Sequence, residues 1–225
     1  MFKGALFDLD GVIADTSTLH FDAWQSLAHN HFSADLPMQL EERTKGVSRR
    51  DSLKVILNHL NLSISSNEFQ HLLNEKNELY KASLKDLTPK NILPGVAEFI
   101  SELKGRKVKL ALASASLNGP VILEKLALSE AFDTIIDPST IPLGKPAPDI
   151  FIAAAKSLSL FPTDCIGIED SVAGVNAINA SGALAISVGT NKALKSTSHN
   201  FGTTAELNLA DIHLAYQIFK KELFG

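Results

Sequence analysis

Two aspartates separated by a single residue, Asp8 and Asp10, stand at the end of the apolar run Ala5-Leu6-Phe7. In an extended segment side chains alternate between faces, so residues two apart share one face and these carboxylates come side by side. Like charges leaving a buried strand repel, and a divalent cation or a bound proton must relieve them. A carboxylate pair with split pKa values is also what nucleophilic and acid–base chemistry uses. The stretch Asp8-Leu9-Asp10-Gly11-Val12 suits a plain strand-ending Asp-Gly turn equally well. These residues alone leave both readings open.

The elements around the pair narrow the choice. Beyond Pro94-Gly95, the spacing of Val96, Phe99, Ile100 and Leu103 predicts an amphipathic helix. Strands at 108–113, about 134–136, 165–168 and 183–188 then alternate with helices near 120–126, 148–158 and 173–181. Alternation of this kind predicts an α/β fold, a doubly wound parallel sheet of Rossmann-like form. From about residue 15 to Pro89 only helical spacing is found. Asp15-Thr16-Ser17 offers N-caps before Phe21, Trp24, Leu27 and Ala28. Capping boxes at Ser48-Arg49-Arg50-Asp51 and Ser65-Ser66-Asn67-Glu68 precede two further apolar patterns. Residues 15–93 therefore read as an inserted all-helical cap, and 1–14 with 94–225 as the core, with joints at Gly11 to Thr16 and Thr88 to Gly95. The polar segment 190–204 is expected to be loop-rich, and a last helix carries Leu214, Ile218, Phe219 and Leu223.

In an open parallel sheet ligands bind outside the carboxyl ends of the strands. Those ends carry Asp8 and Asp10; Ser114-Ala115-Ser116-Leu117-Asn118-Gly119; and Glu169-Asp170-Ser171, with Lys145 just before Pro146 in the preceding connection. Each has an ordinary reading: a helix-capping Ser114, a solvated Lys145, loop acids at Glu169 and Asp170. Together they also form an anion-binding turn, a point charge for a phosphoryl oxygen, and hard oxygen ligands for Mg²⁺. Four segments meeting on one rim favour the second reading.

Composition limits the partners. The chain has 225 residues, 45% of them apolar and 20% charged, and a net charge of −4. It can bury a large core and has no basic stretch to recruit nucleic acid or an anionic membrane, so a small-molecule partner is expected. Asp8 and Asp10 interrupt the N-terminal apolar stretch before it could serve as a signal core, and no run is long enough to span a bilayer. The single cysteine, Cys165, lies in an apolar run and reads as a buried hydrophobe. A cytoplasmic monomer is the expectation.

In these motifs the chain resembles the haloacid dehalogenase superfamily: D-x-D-G-V at Asp8 to Val12, Ser114, Lys145 in K-P-x-P, and Glu169-Asp170. The resemblance implies phosphoryl transfer. Asp8 would be the nucleophile that forms an aspartyl-phosphate, and Asp10 the general acid/base. Mg²⁺ would sit on Asp8, the main-chain carbonyl of Asp10, Asp170 and nearby Glu169, while Ser114, Ala115 and Lys145 would cradle the phosphate. Within the superfamily the chain most resembles the β-phosphoglucomutases. That likeness is carried by Thr16 beside Asp15, His20, Trp24, the loop Lys45-Gly46-Val47-Ser48-Arg49, Ser52, Lys76, and Ser114 to Asn118. It implies that Arg49, Ser116 and Asn118 hold the distal phosphate of β-glucose 1,6-bisphosphate. Trp24, Gly46, Val47 and Ser52 would then contact the sugar, and His20 and Lys76 would couple cap closure to Asp10. Trp24 also reads as a core aromatic and His20 as a helix-surface residue. Leu117 departs from relatives that carry a basic residue there. The implied reaction interconverts β-glucose 1-phosphate and glucose 6-phosphate; a sugar phosphatase, or a non-catalytic phosphosugar-binding protein, are the other readings.

Overall fold

The structure is a computed structural model, and it describes residues 1–224. Six parallel strands form one sheet in the order β3-β2-β1-β4-β5-β6: β1 (Gly4–Phe7), β2 (Lys109–Leu112), β3 (Thr134–Ile135), β4 (Cys165–Glu169), β5 (Leu184–Val188) and β6 (His199–Phe201). The first strand is therefore central. Its burial is complete because alternate side chains enter different cores. Ala5 and Phe7 join Leu110, Leu112, Ile166 and Ile168 on one face, under α5 (Val96–Gly105), α6 (Gly119–Lys125) and α10 (Leu209–Phe224). Leu6 and Ala111 face the other layer, made by α7 (Asp149–Ser157), α8 (Val172–Ser181) and α9 (Lys192–Thr197). Phe7 packs edge-on against Phe132 with ring centroids 5.7 Å apart, and truncating it to alanine would cost about 3–5 kcal/mol.

Register decides where polar side chains emerge. Phe7 pairs with Leu112 on one side and with Ile168 on the other. The next residues, Asp8, Ala113 and Glu169, thus leave the sheet at one level, beside the crevice where the strand order reverses.

Between β1 and α5 the chain inserts four helices, α1 (Ser17–Phe32), α2 (Gln39–Thr44), α3 (Arg49–His59) and α4 (Ser66–Ser83). They own a separate apolar core that includes Phe21, Trp24, Leu27, Leu53, Ile56 and Leu72. Ser48 and Ser65 cap α3 and α4 as their sequences predict, accepting from Asp51 N and Glu68 N. The two connecting segments run side by side: Ala14 bridges Ile92, and Leu93 N donates to Ile13 O at 2.9 Å.

Two expectations need correction. Thr16 does not cap α1 with its side chain; its hydroxyl is drawn to a stronger acceptor, the Asp10 carboxylate. The segment 190–204 is not mainly loop but carries α9 and the edge strand β6. Polar residues are tolerated there because the Asn200 amide donates to Ser187 and Gly189. The expected last helix is α10; its buried face is Leu209, Ile212 and Tyr216, and Leu214, Ile218 and Leu223 lie on its exposed side. Among the described residues, no helix is long and apolar enough to cross a membrane.

Candidate active site

Where the four helices meet the strand ends they enclose a cavity of about 320 Å³. Asp8, Asp10, His20, Trp24, Lys45, Gly46, Val47, Arg49, Ser52, Lys76, Ser114, Ala115 and Ser116 all line it. Trp24 is both things at once, packed in the helical core and facing the cavity. Lys145, Glu169 and Thr16 stand behind this lining, each fully buried. Asp170 opens instead on a second cleft of about 780 Å³, which it shares with Gly11 and Lys45.

One corner of the cavity is built by the sheet. The Lys145 Nζ donates to Asp8 Oδ1 at 2.6 Å and to Glu169 Oε1 at 2.7 Å, and the Glu169 Oε2 accepts from the backbone N–H groups of Asp170 and Ser171. Burial opposes the Lys145 ammonium, but Asp8 and Glu169 outweigh it and hold its pKa above the lysine range. Burial pushes Asp8 up to about 7; Lys145 restrains the rise, and Glu169 and Asp10 add to it. Asp170 is raised by burial too, with Glu169 and Asp8 adding and Lys45, whose Nζ lies 2.8 Å from Asp170 Oδ2, opposing. The carboxylates of Asp8, Glu169 and Asp170 present oxygens within 4.8 Å of one another. Hard oxygen donors crowded in this way suit Mg²⁺. Gly11, at φ +77°, leaves room for them, since a Cβ there would overlap Asp170 Oδ2.

The other corner is completed by the helical insert. Asp10 Oδ1 accepts from Thr16 Oγ1 at 2.5 Å and from the Tyr80 hydroxyl at 3.2 Å. His20 Nε2 lies 3.5 Å from Asp10 Oδ2, and His20 Nδ1 lies 2.5 Å from the Lys76 Nζ. While Lys76 is protonated its ammonium can only donate, so Nδ1 then accepts and the remaining ring N–H faces Asp10. Tyr80 stacks on His20 at 3.7 Å between centroids, and the Lys76 ammonium lies over both Trp24 and Tyr80. Against the upward push of burial, His20 and the Thr16 and Tyr80 hydrogen bonds bring Asp10 down to about 2. Burial lowers His20, and burial with Arg49 nearby lowers Lys76 to about 7.

A third cluster stands at the start of α3. Arg49 Nη2 donates to Asn77 Oδ1 at 2.7 Å, and the same oxygen accepts from Asn118 Nδ2 at 3.1 Å. Ser114 Oγ accepts from Ser116 N at 3.1 Å, shaping the turn after β2. Gly46, at φ +72°, lies so close to Ser171 that a Cβ would strike its hydroxyl, so the 45–49 loop rests directly on the β4 end.

Sequence reading missed Tyr80 and Asn77. Tyr80 had a signal, its i+4 spacing from Lys76 on α4, which puts both on one helix face toward His20. Asn77 had none.

A family model for the haloacid dehalogenase-like hydrolases matches residues 2–182. The chain is 38% identical to the β-phosphoglucomutase of Bacillus subtilis over 97% of each chain. It is 29% identical to a phosphorylated carbohydrates phosphatase of Thermotoga maritima, over 80% of this chain and 82% of that one. The crystal structure of a β-phosphoglucomutase from Clostridium difficile superposes with a TM-score of 0.93 at 36% identity, covering 98% of this chain and 99% of that chain.

Proposed function

Because this chain belongs to the haloacid dehalogenase-like hydrolase family, we propose that it is a phosphosugar mutase that interconverts β-glucose 1-phosphate and glucose 6-phosphate through β-glucose 1,6-bisphosphate. The observation that carries this reading is the presence of two cationic clusters on one cavity. One is Lys145 behind Asp8; the other is Arg49 beside Asn118. A hydrolase acting on one phosphate needs only the first. The Bacillus subtilis and Clostridium difficile relatives support the same reaction.

In the phosphorylated enzyme Asp8 carries the phosphoryl group. A low pKa keeps Asp10 ionised and ready as a base. As a sugar hydroxyl attacks phosphorus, Asp10 takes its proton, the bond from phosphorus to Asp8 breaks, and the bisphosphate is formed. After the bisphosphate turns over, Asp8 attacks the other phosphorus and Asp10 returns the proton to the departing sugar oxygen. The proton is thus conserved within one cycle. Lys145, with Ser114 and the neighbouring amides, supplies charge to the transferring oxygens, which is most of what phosphoryl transfer asks of a protein. Asp8, Asp170 and the Asp10 carbonyl, with Glu169 adjacent, would hold Mg²⁺, which neutralises charge between nucleophile and phosphate when bound. Residues 15–93 act as a cap whose closure brings His20 and Tyr80 to Asp10 and excludes water. A monomer is proposed as the working unit.

Primed with β-glucose 1,6-bisphosphate and given β-glucose 1-phosphate, the enzyme should form glucose 6-phosphate far faster than free phosphate. Dominant release of phosphate would make it a sugar phosphatase instead.

A further inference from the structure

Asn77 follows Lys76 on α4 and has no part in the scheme above. Its side-chain oxygen accepts from Arg49 Nη2 at 2.7 Å and from Asn118 Nδ2 at 3.1 Å. Arg49 begins α3 of the insert, whereas Asn118 precedes α6 of the core. One amide oxygen therefore gathers donors from both sides of the boundary, as a phosphate oxygen would. Arg49 Nη1 also donates to Leu73 O at 3.4 Å, so the guanidinium is gripped twice by α4. A guanidinium has five N–H donors, which leaves others for the cavity that Arg49 lines. The gripping oxygen is neutral. It orients Arg49 without cancelling the positive charge, which a carboxylate in its place would do.

Position on α4 adds a second consequence. Lys76 serves His20 and through it Asp10, and its immediate neighbour serves Arg49 and Asn118. Adjacent residues on a helix point about 100° apart, so a single helix reaches two clusters of one cavity. Movement of the insert away from the core would break His20–Asp10 and Asn77–Asn118, the contacts of these two clusters that cross to it.

We infer that Asn77 is a positioning residue that holds Arg49 and Asn118 together when the cap is shut, and so sets the preference for a substrate bearing a second phosphate. This rests on the reading of Arg49 as the second anion site. The test compares two ways of phosphorylating Asp8: with β-glucose 1,6-bisphosphate, which spans both clusters, and with acetyl phosphate, which is too short to reach Arg49. The ratio of the two kcat/KM values is independent of how much of each variant folds. Asn77→Ala should lower that ratio about tenfold, mainly through KM for the bisphosphate, as expected for losing a shared charge-assisted hydrogen bond. Asn77→Asp keeps size and acceptor but opposes a phosphate, and should lower the ratio further. A ratio within about twofold of wild type in either variant would overturn the inference. Arg49→Ala separates the two layers. If it also leaves the ratio unchanged, the second anion site falls and this inference with it; if Arg49→Ala lowers the ratio and Asn77→Ala does not, only the role of Asn77 falls.

Discussion

Asp8 and Asp10 are the same side chain two residues apart, lining one cavity, yet they end in opposite electrostatic states. Asp8 is enclosed by the core, against Lys145 and Glu169, and burial lifts it to about 7. Asp10 takes its partners from the hinge-side turn and the inserted helices, Thr16, His20 and Tyr80, and is held near 2. Lys145 and Glu169, the charged side chains that bear on Asp8, thus both come from the core. Asp10, the proposed proton-transfer group, has its full set of partners only with the insert docked. On the proposed mutase reading, in which a sugar hydroxyl and not water must take the phosphoryl group, this division ties proton transfer to closure.

Asp8→Asn should abolish phosphoenzyme formation and lower turnover by at least about 10⁴-fold, because Asp8 is the cavity-lining carboxylate held against Lys145, where the proposed phosphoryl transfer takes place. Denaturing gel analysis of enzyme labelled from a phosphoryl donor, beside the steady-state rate, checks this. Label persisting in the variant would place the nucleophile elsewhere.

On the Asp10 side the effect should be smaller and should depend on pH. Lys76→Met removes the donor to His20 Nδ1 while keeping apolar bulk, and should reduce kcat about a hundredfold, the scale of an acid–base contribution. It should also change stability in a defined window. Lys76 titrates near 7 in the folded protein and near 10.5 when unfolded, so between those values the unfolded chain binds more protons. Wild-type stability therefore gains as pH rises through that range, by an amount on the order of a few kcal/mol, and the variant should lack this gain. Urea unfolding across the range would show it, and parallel pH profiles would contradict it.

The core side has its own, smaller signature. Asp8 and Asp170 are raised, so from about pH 4 to 7 the folded state binds more protons than the unfolded chain and stability falls as pH rises. Mg²⁺ should reverse this loss. Its addition should raise Tm by several degrees at about pH 8 and by much less at about pH 5, where the carboxyls keep their protons. Asp170→Asn should abolish the shift at both. An equal shift at both pH values would count against these carboxylates as the metal site.

Much of the core side was legible because its chemistry is local to strand ends. Asp8, Ser114 and Glu169-Asp170 each follow a short apolar strand, and parallel register brings such ends to one level. Lys145 follows the same logic through its connection. The Asp10 side was harder to read because its partners depend on how helices dock. Thr16 looked like a helix cap and became an Asp10 donor, and Tyr80 comes from a helix some seventy residues away. Asn77 carries no pattern at all; only packing of α3, α4 and the turn before α6 reveals it. The edge strand β6 escaped for a different reason, being three residues long and polar, below the length at which alternation can be seen.

The measurement that reaches the centre of this account is the fate of the phosphoryl group on Asp8. Enzyme labelled with phosphate at Asp8 and mixed rapidly with β-glucose 1-phosphate should pass the label to the sugar, appearing first in the bisphosphate, with little free phosphate. Release of label as free phosphate at a rate indifferent to the sugar would mean that water is the natural acceptor and that closure over Asp10 does not choose it.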